Sequence, residues 1–144
     1  MTSYFKPISI SLSPNVEPDD IKLALNLIIR PWLWKRGKAV RELEENFKKY
    51  LGVKYAFSFN SGRSSLFAIL KSLELGKESG VLLQAFTCNA VTNPILWADF
   101  APIYVDCSKD DFNINIADLK NKITQQTRVL IIQHTFGQPC NMDE

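Results

Sequence analysis

A single histidine, His134, and three cysteines without a C-x-x-C pair are all that these 144 residues offer a soft metal. Cys88, Cys107 and Cys140 are odd in number and widely spaced, which argues against both a disulfide framework and a zinc site of close ligand spacing. Reduced thiols and no metal are expected. No apolar run approaches the roughly 20 residues that a bilayer span needs. Met1–Pro14 carries one basic residue, Lys6, with no leader-like apolar core and no small-residue cleavage pattern. A cytoplasmic chain with no membrane partner is the expectation. An excess of one charge is missing too, since 17 Lys+Arg against 15 Asp+Glu are mixed along the sequence and leave a net +2. Nucleic acid, which wants a basic arm or stripe, is not an expected partner. The Walker A pattern and G-x-G-x-x-G are absent as well, which removes the usual nucleotide fingerprints.

What is there is a globular composition, 46% apolar and 22% charged, enough for one buried core. After a Ser- and Pro-containing arm over the first fifteen residues, Ile21, Leu25 and Ile28 fall on one helical face. Acidic residues occupy that helix's first turn and Pro31 lies beyond its end. Val40, Leu43, Phe47 and Tyr50/Leu51 mark a second helix, closed by Gly52. Apolar strand-like runs then alternate with helical stretches: Lys54–Phe59, Ser61–Leu73, Gly80–Ala85, Asn89–Ala98, Pro102–Asp106, Ile116–Ile123 and Arg128–His134. This βαβαβαβ order predicts a parallel sheet covered by helices on both faces, with "RVLIIQHTF" as a strand buried on both sides. No repeat, low-complexity tract or linker marks a boundary. The final "HTFGQPCNMDE" stops after a strand and a turn, where an α/β unit normally enters its next helix, so the sequence is expected to end inside a domain.

The densest chemistry lies in "FSFNSGRSSLFAIL", where a strand-like run passes through Asn60-Ser61-Gly62-Arg63-Ser64-Ser65 directly into an amphipathic helix. Unpaired N–H groups and the positive end of the helix dipole converge there, beside the hydroxyls of Ser61, Ser64 and Ser65 and the Arg63 cation. Together they make an arrangement suited to a phosphate ester. The alternative is that Ser61 is an ordinary N-cap and Gly62 only eases the turn. His134 ends a strand at the carboxyl edge of the predicted sheet, where α/β enzymes hold ligands. A neutral ring hydrogen-bonded to nearby backbone is the competing, structural reading. Asp106 is expected to cap a turn, and Trp32 and Trp34 either cover core or line an entrance.

Read in order, "GKAVRELEENFKKYLGVKYA", "SGRSSL", "QAFTCNAVTNPIL", "PIYVDC" and "FNINIADLKNKITQQTRVLIIQHTFGQPCNMDE" resemble the first third of the DegT/DnrJ sugar aminotransferases. The resemblance runs from about Gly37 to Glu144 and rests on five segments in register. It implies a three-layer α/β/α sandwich, part of the large domain of pyridoxal-phosphate (PLP) enzymes of fold type I. Residues 1–144 would be a partial large domain, with 1–36 an arm and helix, and with the rest of that domain and the small domain absent. It also implies that Ser61, Gly62, Arg63 and Ser64 hold the PLP phosphate and that Phe86 stacks on the pyridine ring, with His134 and Cys88 lining the site. Most family members carry Thr after the glycine, and Arg63 departs from that, so it serves either the phosphate or a substrate carboxylate.

The implied function is transfer of an amino group, commonly from glutamate, to a keto-sugar nucleotide, in the synthesis of cell-envelope polysaccharide or antibiotic sugars, by a homodimer. The chain holds no catalytic residue of that reaction. Its lysines, Lys48, Lys49, Lys71, Lys120 and Lys122 among them, fall on charged helical faces, and none stands for the Schiff-base lysine. The isolated chain is therefore expected to be inactive. Two rivals remain open, a non-catalytic binding or regulatory relative and an unrelated phosphate- or nucleotide-binding doubly wound module.

Overall fold

A computed structural model describes residues 16–34 and 37–144. The expected arm over residues 1–15 lies outside the described residues, as do Lys35 and Arg36. The chain divides into two compact units, residues 1–56 and 57–144. The sequence carries no linker signal at this division, and the first unit extends past the 1–36 arm-and-helix segment to take in the second helix.

In the first unit, helix α1 spans Pro18–Ile28. Pro18 supplies a helical φ where no N–H is needed, and Asp20 Oδ2 accepts the Glu17 amide at 2.9 Å in a capping box. A 3₁₀ turn at Pro31–Leu33 follows, and the Trp34 indole donates back to the Leu27 carbonyl at 2.8 Å, satisfying one of the helix's terminal acceptors. Helix α2 spans Lys38–Leu51 and ends on Gly52, whose φ of +66° is the left-handed conformation that stops a helix at little cost only for glycine. The stripe Val40, Leu43 and Phe47 is about half exposed, and neither helix holds a buried residue.

The second unit is built on three parallel strands, β1 (Gly80–Gln84), β2 (Ala101–Val105) and β3 (Thr127–Ile131), in the order β2-β1-β3. Helices α3 (Gly62–Ser72), α4 (Asn89–Trp97) and α5 (Ile116–Lys122) alternate with them along the chain. Successive side chains of a strand point to opposite faces. Val81 and Leu83 of β1 accordingly join Leu70 of α3, Ile95 of α4, Ala98 and Phe100 in one core. Leu82 joins Val105, Ile114 and Leu119 of α5 in the other. The result is the expected three layers, α3 and α4, the sheet, then α5. Each fully buried leucine here contributes roughly 1.5–3 kcal/mol.

Two expectations are corrected. Residues 54–59 form no strand, and the sheet among the described residues has three strands rather than four. A strand exists through its ladder hydrogen bonds, and this segment joins no ladder there, whatever its apolar pattern. The run after Arg128 is not buried on both faces. As β3 it is an edge strand that ends at Ile131, with Val129 and Ile131 partly buried against the first core and Arg128 and Leu130 exposed. Among the described residues its other face lacks a cover, since α5 packs on β2, and the strand buried on both faces is β1.

Candidate functional site

The residues singled out by the sequence fall into two groups. The first is the amino terminus of α3. Ser61 is the N-cap in extended conformation, and its Oγ accepts the Ser64 amide at 3.2 Å and lies 3.0 Å from the Ser64 hydroxyl. Ser65 donates to the Ser61 carbonyl at 3.0 Å, closing the first turn. The amides of Gly62 and Arg63, the first two helical positions, have no acceptor among the described residues, and both residues are exposed. A Cβ built on Gly62 would meet nothing within 4 Å. Two unpaired N–H groups on exposed residues, two adjacent part-buried hydroxyls and the Arg63 residue thus gather at the positive end of a helix dipole, which favours an anion. The N-cap role of Ser61 and the anion site are compatible, because the cap uses only the third amide of the turn.

The second group sits at the carboxyl edge of the sheet. Phe86, Cys88 and His134 line one cavity of about 440 Å³ together with Thr87, Gln133, Thr135 and Phe136. Phe86 is the central residue of the tight turn that follows β1, where the Thr87 amide donates to the Ala85 carbonyl at 3.0 Å and the Phe86 amide to Cys107 Sγ at 3.3 Å. Cys88 is the N-cap of α4. His134 Nδ1 accepts the Cys140 amide at 3.0 Å, so the ring satisfies backbone as the structural reading expects. Ser61–Ser64 are not among the residues that line this cavity.

Sequence reasoning missed the polar framework beneath the cavity. Gln84, wholly buried at the end of β1, places Nε2 2.6 Å from Thr135 Oγ1, 3.2 Å from the Phe112 carbonyl and 3.3 Å from the Phe86 carbonyl, three acceptors that share its two N–H groups. Asn113, 3% exposed, accepts the Thr135 amide at 3.0 Å and donates to Asp111 Oδ2 at 3.0 Å and to the Gln138 carbonyl at 3.3 Å. Phe86, Phe112 and Phe136 form a triad with ring centroids 5.3, 6.0 and 6.4 Å apart. Phe112 and Phe136 hold φ of +58° and +53°, a left-handed conformation costing a bulky residue roughly 1–2 kcal/mol. The available signal was a lone glutamine closing the apolar run "VLLQ"; nothing in the sequence announced the positive φ values.

A second, more polar cleft of about 530 Å³ is lined by Asp106, Ser108, Asp111, Asn113 and Asn115 among others. Two of its carboxylates, those of Asp106 and Asp111, are engaged in turns. Asp106 Oδ1 accepts the Cys107 amide at 2.8 Å, the turn-capping part expected of it. Asp111 accepts the Asn113 amide at 3.0 Å, and that bond holds its carboxyl below the ordinary value of 3.8. Among the described residues, no three His, Cys, Asp or Glu side chains group to hold a metal ion, and no helix is long and apolar enough to cross a membrane.

Comparison with known proteins follows the same lines. A family model described as the DegT/DnrJ/EryC1/StrS aminotransferase family matches residues 15–144. An uncharacterized protein of Methanocaldococcus jannaschii, MJ1066, is 31% identical over 131 residues, 91% of this chain and 34% of that protein. The GDP-perosamine synthase of Caulobacter vibrioides is 28% identical over 91% of this chain and 35% of its own length. Among solved structures, the putative sugar aminotransferase Spr1654 from Streptococcus pneumoniae in its PLP form superposes with a TM-score of 0.77 at 25% identity, over 90% of this chain and 33% of that one. The E. coli GDP-4-keto-6-deoxy-D-mannose-3-dehydratase with bound hydrated PLP gives 0.76 at 22% identity, a likeness of fold alone. The chain spans about a third of the length of these relatives.

Proposed function

The chain belongs to the DegT/DnrJ/EryC1/StrS aminotransferase family, and from that premise we propose that it supplies the phosphate cradle and ring-stacking face of a PLP-dependent sugar aminotransferase. The observation that carries the reading is the amino terminus of α3, where the Gly62 and Arg63 amides lack acceptors beside the paired hydroxyls of Ser61 and Ser64. These residues fit a phosphate dianion, and the open space in front of Gly62 leaves room for its oxygens. Phe86, half exposed at the rim of the 440 Å³ cavity, offers a flat apolar surface to a pyridine ring and keeps water from one of its sides. His134 and Cys88 line the same cavity. When bound, PLP supplies the electron-withdrawing ring on which amino transfer depends.

In this reading the chain's own residues bind and orient the cofactor and perform no proton transfer. The lysine that would hold the cofactor covalently comes from sequence outside these residues, and the chain alone is inactive. The substrates are a keto-sugar nucleotide and an amino donor, with glutamate the first choice, and the working assembly is a homodimer. The half-exposed apolar stripe of α2 is surface of a kind that is ordinarily covered, whether by the rest of the protein or by a second copy. A dehydratase shares this fold, so the fold does not choose between amino transfer and its relatives; the family match favours transfer.

The test is titration of the chain with PLP, followed by absorbance, alongside Gly62→Asp and Arg63→Ala. Saturable binding without the visible band of a lysine-linked cofactor, weakened by both substitutions, is expected. Binding that ignores both changes, or a chain that takes up nucleotide but not PLP, would overturn the cradle.

A further inference from the structure

The polar network under the cavity carries an inference beyond the cradle. Gln84 is one of two buried polar residues in the described chain, and its single amide group reaches three segments that are 2, 28 and 51 residues away. Each partner is a ring-bearing residue of the triad or its neighbour: the carbonyl of Phe86, the carbonyl of Phe112, and the hydroxyl of Thr135, which precedes Phe136. Two of these turns are in the left-handed region, at Phe112 and Phe136, which bulky side chains leave when nothing holds them there. The Thr135 hydroxyl also reaches the Phe112 carbonyl, at 3.3 Å, so Gln84 Nε2, Thr135 and both turns are connected, while Gln84 Oε1 has no partner among the described residues.

We propose that Gln84 is a positioning residue: from the end of the central strand its amide pins the two left-handed turns and so sets the Phe86–Phe112–Phe136 face at the cavity. Its use as a cofactor face rests on the reading of Phe86 given above; the pinning itself does not. The donor character of Nε2 is what matters. Leucine would fill the space but donate to neither turn, leaving the Phe86 carbonyl without this donor and the Phe112 carbonyl with the Thr135 hydroxyl alone. An ionised glutamate would present only acceptors to two carbonyls, whereas a protonated one regains one O–H donor.

The experiment reads ring-to-ring nuclear Overhauser contacts among the three phenylalanines in the full chain, with amide protection of Val81–Leu83 reporting the sheet. In Gln84→Leu the contacts from Phe86 to Phe112 and Phe136 are lost while the sheet stays protected. In Gln84→Glu they are lost at neutral pH and return on acidification, a dependence that a purely space-filling role would not produce. Retention of all ring contacts in Gln84→Leu, or loss in Gln84→Glu at every pH, overturns the proposal. Should Gln84→Leu fail to fold, Thr135→Val removes the shortest of the three bonds and must loosen the Phe136 contacts; unchanged contacts count against the idea. PLP affinity is read in parallel, with a drop of about tenfold expected for Gln84→Leu, the weight of one hydrogen bond. Lost ring contacts with unchanged PLP affinity, or a parent chain that binds no PLP, leave the pinning role standing and remove the ring-stack reading of Phe86.

Discussion

The Cys140 amide donates to His134 Nδ1 at 3.0 Å, and the Cys140 thiol donates to the Gln133 carbonyl at 3.0 Å. The loop after β3 thus folds back on the two residues that precede it. With Nδ1 accepting, the neutral imidazole carries its proton on Nε2, which defines the tautomer. Cys140 is 7% exposed in consequence of this doubling back.

Replacing His134 with Phe keeps a flat ring and removes the acceptor. The Cys140 amide then loses its partner, at a cost of about 1 kcal/mol, and the loop opens more often. The expected outcome is faster labelling of buried Cys140 by a thiol reagent than in the parent chain. Equal protection of Cys140 in both proteins would show that the loop is held by something other than this bond.

A tight backbone approach makes the second prediction. Gly80 begins β1 where the register with β3 shifts, and a Cβ added there would stand 3.2 Å from the Gln126 carbonyl oxygen, 3.3 Å from Thr127 Cα and 2.8 Å from Ile103 Cδ1. The isoleucine methyl can move aside, but the backbone pair belongs to the neighbouring strand and its entrance. Gly80→Ala is expected to cost roughly 1–3 kcal/mol by overpacking, read from chemical denaturation. Conformational freedom is not the issue, because the φ of Gly80 is not in the left-handed region.

How much of this could be read beforehand follows from the range of the interactions involved. Helices α3, α4 and α5 came within a residue of their observed ends because a 3.6-residue period and local caps fix them, and Gly52 could be placed because only a left-handed stop requires it. Strands β1 and β2 were legible as apolar runs between turn signals. The status of β3 was not, since an edge strand differs from a central one only in what lies beside it, and the same apolar letters serve both. Residues 54–59 failed for the same reason, because ladder partners are not written in a segment's own sequence. The helix start at residues 61–64, with Ser61 as its N-cap, was legible through local chemistry. The Gln84 network was not, because its partners are up to 51 residues distant and two of them lean on phenylalanines in a conformation that composition argues against.

Acid should loosen the link between β2 and α5. Asp118 Oδ2 accepts the Asp106 amide at 2.7 Å, just past the end of β2, and pairs with Lys122 Nζ at 2.8 Å. Those partners, the Asp106 amide first, hold its carboxyl below the ordinary value of 3.8. A carboxyl lowered in the folded state binds its proton less readily there than in the unfolded chain. Its contribution is therefore present above the unfolded value and is lost as pH falls through the lower folded one. Asp118→Asn should be less stable than the parent at neutral pH, and the gap between the two should close in acid, below about 3.8 and down through the folded value. Lys122 also donates to the Tyr104 carbonyl at 2.8 Å, so its ammonium stays anchored in the variant and the comparison isolates the carboxylate. Denaturation midpoints measured across that range test the sign directly, since a gap that widens in acid would mean that the carboxylate is a burden the fold tolerates.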